Sequence, residues 1–128
     1  MATKGGKEMK KVYIAGAYSD DNVLGVLRNI GRGQSAAAEV FRRGFAPFCP
    51  WFDKEFVISR WKEEFTVQQF LDYSIAWLDV SDCMLIVPNK PGMKDWQQSA
   101  GTLKEIEYAR VHNIPVFYSV FDMIEYYK

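Results

Sequence analysis

The chain has 128 residues, 48% of them hydrophobic and 16% aromatic, with sixteen basic side chains balanced by sixteen acidic ones. That length suits one core, and a neutral balance without a long basic run excludes a scaffold for nucleic-acid polymers or a protein held electrostatically on a membrane. It leaves open a small anion held by local dipoles.

No apolar stretch reaches the roughly 18 residues of a membrane span. Residues 1–10 are rich in Lys and Gly without an apolar core, so they read as a disordered leader, not a signal peptide, ahead of a single domain over 11–128. Cys49 and Cys83 lie 34 positions apart, each in an apolar run, and the chain holds one histidine, His112. A zinc site or a Cys-His nucleophile needs more partners than these, so both cysteines read as reduced core residues of a cytoplasmic protein, with no metal or organic cofactor expected.

Taken in order, Lys11 to Ala15 predicts a first strand that Gly16 ends. The polar turn from Ala17 to Asn22 offers Asp20, Asp21 or Asn22 as a cap for a helix to Arg43. Gly25, Gly31 and Gly33 weaken its early turns, so it is expected to be broken or to begin late, and Gly44 is a suitable stop. Phe45 to Pro50 predicts a short second strand, which Pro47 demotes to an edge or an irregular run. The stretch from Trp51 to Trp61 has no clean period and reads as an aromatic-rich connection. Aromatics in such a place either stack on a base or cover the core, and Trp51 and Phe52 are the candidates for base contact.

Glu63 to Leu78 predicts a helix, with Phe70, Tyr73 or Ser74, and Trp77 or Leu78 at steps of three and four. Asp82 to Val87 predicts a buried central strand of the parallel type. After it comes Trp96-Gln97-Gln98-Ser99-Ala100-Gly101-Thr102-Leu103-Lys104-Glu105, a polar loop that opens a helix near Ser99 and running to about His112. Ser99 can cap that helix. Gly101 permits close approach of backbone to a ligand, and the amides of the first turn, at the positive end of the helix dipole, suit a phosphate or carboxylate. Glu105 follows about one and a half turns in, near enough to reach the same cleft. Periodicity does not choose between it and Glu107, because each lies about 40° from an apolar position on the helical wheel. His112, at the helix end, suits a C-terminal cation. Pro115 to Tyr118 predicts a fourth strand and Phe121 to Tyr127 a closing helix. Strands alternating with helices imply a parallel sheet covered on both faces, whose ligands bind beyond the carboxyl ends of the strands.

Tyr13-Ile14-Ala15-Gly16-Ala17-Tyr18, Phe48-x-Pro50 and Trp96-x-x-Ser99-x-Gly101-x-x-x-Glu105-x-x-x-Ala109 resemble, in this order and spacing, the nucleoside 2-deoxyribosyltransferase superfamily. Within it the small 2'-deoxynucleoside 5'-monophosphate N-glycosidases and their phage and bacterial relatives look nearest, and the resemblance runs from about Lys11 to Tyr118. It implies a flavodoxin-like, Rossmann-type three-layer α/β sandwich with a parallel sheet of four to five strands, assembled as a homodimer or higher oligomer. It implies Glu105 as the catalytic carboxylate at the anomeric carbon, Tyr13 to orient that carboxylate or the sugar, and Gly16, Ser99 and Gly101 around a 5'-phosphate or 5'-hydroxyl. Relatives place an Asp eight residues before the Asp that opens the central strand, and here that position is Ser74. Ser74 is thus a substrate-side position without a carboxyl. Met93-Lys94-Asp95 also adds length to the loop before Trp96.

The chemistry is coherent without the resemblance. Breaking an N-glycosidic bond builds positive charge on the sugar, which a carboxylate on the opposite face attacks or stabilises. The departing base needs a proton, and a remote phosphate clamp fixes the pose. Asp72 does not replace Ser74, being about 200° away on the helix, and Asp79 shares the face of Asp72. Both read as solvated. Arg28 is a further candidate for a phosphate. The sequence therefore predicts hydrolysis or exchange of the N-glycosidic bond of a (deoxy)nucleoside or its 5'-monophosphate. The alternatives are a non-catalytic nucleotide-binding or sensing module and an interaction scaffold of the same fold.

Overall fold

The apolar run Lys11–Ala15 forms strand β1 in the computed structural model, which describes residues 8–16, 22–60, 62–88, 97 and 99–128. Most of the polar turn from Ala17, residues 1–7 of the leader, Trp96 and the Met93-Lys94-Asp95 stretch lie outside the described residues. From Val12 to Ala15 each β1 side chain is buried, as expected of a strand packed on both faces. Val12 and Ile14 point to one side of the sheet, Tyr13 and Ala15 to the other. Helix α1, Val23–Arg42, follows without a break. Asn22 starts it, its Oδ1 accepting from the Gly25 N–H at 2.8 Å, and Gly44 follows its C-terminus at φ +93°, a conformation that glycine adopts without strain.

The expected break in α1 is absent, and one of its glycines, Gly33, answers to packing. A Cβ on Gly33 would lie 2.7 Å from the Trp51 ring, so the missing side chain is the slot into which that ring fits. Strand β2, Ala46–Phe48, pairs only with β1, and the edge is where Pro47 is tolerated. The aromatic connection is more regular than its composition predicts. A 3-10 turn at Pro50–Asp53 leads into α2, Lys54–Ser59, a short helix held by tertiary packing, not by a period of its own.

Helix α3 spans Val67–Asp79, starting four residues later than expected. Thr66 and Gln69 form a capping box, with Gln69 N–H donating to Thr66 Oγ1 at 3.1 Å and Thr66 N–H to Gln69 Oε1 at 2.7 Å, and this sets the start. Strand β3 is Cys83–Ile86, α4 Ala100–Val111, β4 Val116–Phe117 and α5 Val120–Tyr126. The four strands are parallel in the order β2-β1-β3-β4. One face packs α1 and α5 over Val12, Ile14, Cys83 and Leu85, and the other packs α3 and α4 over Tyr13, Ala15, Met84 and Ile86. This is a flavodoxin-like three-layer α/β fold, with its order reversing between β1 and β3. Cys49 and Cys83 are unpaired thiols, half-buried and buried, and burial pushes both up to about 11. Among the described residues no helix is long and apolar enough to cross a membrane.

The glycines of α1 separate packing from propensity. Gly31 has nothing within 4 Å of a built Cβ, so Gly31→Ala is expected to stabilise by about 0.5–1 kcal/mol. Gly33→Ala gains the same propensity but drives into Trp51, for a net loss of about 1–3 kcal/mol. Urea unfolding of the two variants beside the parent reads both signs.

Candidate active site

Position 13 of β1 faces the α3–α4 layer, and α4 returns a carboxylate to it. Tyr13 Oη donates to Glu105 Oε2 at 2.6 Å in a buried pair that joins residues 92 apart in sequence. Glu105 is only 8% exposed, whereas Glu107 is exposed and pairs with Arg110 on the helix surface. The ambiguity of the helical wheel is thereby resolved for Glu105. Burial pushes its carboxyl from 4.5 up to about 7, the Tyr13 hydrogen bond pulls it down, and the negative charge of Asp53 raises it further.

The helix start lies beside the end of β1. Ser99 Oγ accepts from the Thr102 N–H at 3.2 Å, and Ser99 O from the Leu103 N–H at 3.0 Å. Thr102 Oγ1 in turn donates to Gly16 O at 3.2 Å and ties α4 to the end of β1. Gly16 thus contributes its carbonyl to the frame. The N–H groups of Ala100 and Gly101 belong to the first turn and have no partner within the helix. Gly101 is exposed, and a Cβ there would meet nothing within 4 Å, so packing does not demand a glycine.

Aromatic rings wall the other side. Phe48, opposite Tyr13 in the β1–β2 register, stacks on Tyr13 at 6.1 Å and on Trp77 at 4.9 Å between ring centroids. Tyr73 leans on Phe48 at 6.2 Å, and Phe56 meets Tyr73 edge-on at 5.5 Å. Burial raises the Tyr73 hydroxyl, and the charge of Asp53, half-buried at the junction of the 3-10 turn and α2, adds to that rise as it does for Glu105. Asp53 precedes α2 without capping it.

The predicted residues divide accordingly. Tyr13 and Glu105 are brought into contact, and Gly16, Ser99 and Gly101 meet at the start of α4. Ser74 is buried on α3, which packs against α4. Trp51, one of the two rings offered for base contact, is 7% exposed and packs into the core beneath α1 while its edge also lines a cavity beside β2, and the exposed ring of that turn is Phe52. A cavity of about 270 Å³ at the β2 edge is lined by Phe48, Phe52, Gln34 and Glu55 among others. Asp72 accepts from Gln68 and Asp79 from Tyr108, both at the surface. His112 caps α4 and stacks on Tyr108. Arg28 is exposed and donates to Leu24 O.

Two residues went unread in the sequence. Thr102 sits three positions after the capping Ser99, where a hydroxyl on the inner face can bond a neighbouring strand. Asp53 gave no signal, since it lies in a stretch without a period. Among the described residues no group of three or more His, Cys, Asp and Glu side chains is placed to hold a metal ion. No protein-family model matches the chain, and no curated protein matches it.

A buried carboxyl raised in the folded state has a defined linkage. Between 4.5 and about 7 the folded chain holds the Glu105 proton more tightly than the unfolded chain, so stability falls as pH rises through that window. The loss is complete above pH 7 and amounts to roughly 3 kcal/mol. Glu105→Gln keeps the shape and removes the charge. Its melting temperature is expected to exceed the parent's at pH 8 and to lose most of the parent's decline between pH 5 and 8; matching curves would contradict this account.

Proposed function

We propose that the protein cleaves or exchanges the N-glycosidic bond of a (deoxy)nucleoside or its 5'-monophosphate. The observation that carries this reading is Glu105, a carboxylate kept buried at a cost to stability and oriented by a phenolic donor, which is how functional carboxylates are held. Glu105 works at the anomeric carbon, where its negative charge meets the positive charge of an oxocarbenium-like transition state. The Tyr13 hydroxyl fixes one carboxylate oxygen and leaves the other for the sugar. The amides of Ala100 and Gly101 receive a 5'-phosphate at the positive end of α4. The rings of Phe48 and Tyr73 offer a wall for the base. Water as acceptor gives hydrolysis, and a second base gives transfer. Assembly as a homodimer or higher oligomer belongs to the same proposal and is read by light scattering.

Chromatography of free base released from a panel of nucleosides and 5'-monophosphates tests this reading. The parent is expected to release base and Glu105→Ala to lose at least about a thousandfold in rate, the scale of a reacting carboxylate. Equal release by both proteins would exclude Glu105. Gly101→Ala is expected to keep the melting temperature or raise it slightly, because the site has room for a methyl. The same variant is expected to raise KM for monophosphates about tenfold, or about 1.4 kcal/mol, with nucleosides little affected.

One observation favours a second reading, a nucleotide-binding module without turnover: position 74 carries a serine hydroxyl and no acid. That reading predicts no base release. It predicts that a nucleoside monophosphate at 100 times its Kd stabilises the protein by about 2.7 kcal/mol.

A further inference from the structure

Thr102 is buried, and a buried threonine hydroxyl in a helix ordinarily bonds back to a carbonyl of the preceding turn. This one is spent elsewhere. Thr102 Oγ1 donates to Gly16 O at 3.2 Å, a bond between buried partners 86 positions apart. The N–H of the same residue donates to Ser99 Oγ at 3.2 Å, so Thr102 joins the cap of α4 to the end of β1. Glu105 follows one turn later on the same buried face of α4, and Tyr13 stands three residues before Gly16. The helix and the end of the strand are therefore bonded twice, by Thr102 to Gly16 and by Glu105 to Tyr13 at 2.6 Å. One such bond leaves α4 free to pivot about it. A second, a helical turn away, removes that freedom.

We propose that Thr102 is a positioning residue for Glu105: its hydroxyl pins the first turn of α4 to the end of β1, which holds the carboxylate on Tyr13 and at a fixed reach from the amides of Ala100 and Gly101. Its effect on rate rests on the N-glycosidase reading above. That reaction needs a Glu105 oxygen aligned on the anomeric carbon while the other end of the substrate is held at the helix start. A helix that pivots keeps its amides and loses the alignment, so removal of the hydroxyl acts on kcat more than on KM. It also acts on the carboxyl itself. Burial raises the Glu105 pKa, the Tyr13 hydrogen bond lowers it and the charge of Asp53 raises it. A pivot that lengthens the Tyr13 bond takes away the one lowering contribution, and the pKa rises.

The test compares Thr102→Val, Thr102→Ala and Thr102→Ser with the parent. Valine keeps the shape and removes the donor, alanine removes the donor and leaves room for water at the Gly16 carbonyl, and serine keeps the hydroxyl. In base release from deoxynucleoside 5'-monophosphates, kcat is expected to fall about ten- to a hundredfold for the valine and alanine variants, with KM changed less than about threefold. Thr102→Ser is expected to stay within about threefold of the parent in both constants. Titration of Glu105 by carboxyl carbon NMR in the folded variants is expected to give a higher pKa than the parent's for valine and alanine, and the parent's value for serine. A lower melting temperature with kcat and the Glu105 titration unchanged marks a bond that only stabilises the fold and overturns the proposal; so does a loss of rate in Thr102→Ser as large as in Thr102→Val. Should the valine variant not fold, the alanine variant carries both measurements. A parent that releases no base overturns the glycosidase reading, and the titration then decides the role of Thr102 by itself: a raised Glu105 pKa upholds it, and an unmoved or lowered one overturns it.

Discussion

A carboxylate held in the layer between sheet and helices is the constraint on which the site depends. Glu105 enters from α4, Tyr13 meets it from the second layer of β1 residues, and their 2.6 Å hydrogen bond spans 92 positions of sequence. Desolvation disfavours the charged form, and the tyrosine hydroxyl returns part of what is lost. A leucine at 105 would serve the core better. A sequence that spends stability at this point is one in which the carboxylate itself is wanted.

The rest of the α3–α4 side can be read as support for that pair. Thr102, next after Gly101 and three before Glu105, bonds the end of β1 and so fixes how α4 lies along the sheet. Ser99 supplies the cap from which the helix starts. Phe48 holds the Tyr13 ring from the β2 side, and Trp77 holds Phe48 in turn. Asp53 comes to the same region by a different route, through a turn whose own anchor is Trp51 in the slot left by Gly33 on the opposite side of the sheet.

In the proposed reaction this arrangement divides labour by environment. Glu105 is dry and oriented, and the amides of α4 lie about one and a half turns away, where a phosphate can be held without approaching the reacting bond. The fold contributes the reversal of strand order between β1 and β3, the point at which open parallel sheets bind their ligands.

Much of this was legible in local pattern. The alternation of strands with helices, the fully apolar character of β1 and β3, the edge position implied by Pro47, and the start of α4 at Ser99 all follow from short-range rules of burial, register and capping. The capping box of Thr66 and Gln69 was equally legible, although hydrophobic period alone carried the α3 start too far upstream. Other features could not be read this way, because they depend on what lies opposite. Period left Glu105 and Glu107 equivalent, and only the position of the sheet makes one buried and the other solvated. Composition offered Trp51 as a ring for a base, and only the gap at Gly33 shows why it turns into the core. Asp53 had no local signal at all. The sequence by itself determined the layers and the helix that presents the carboxylate; tertiary structure decided which acids share an environment, because desolvation and charge act between residues that the chain brings together from far apart.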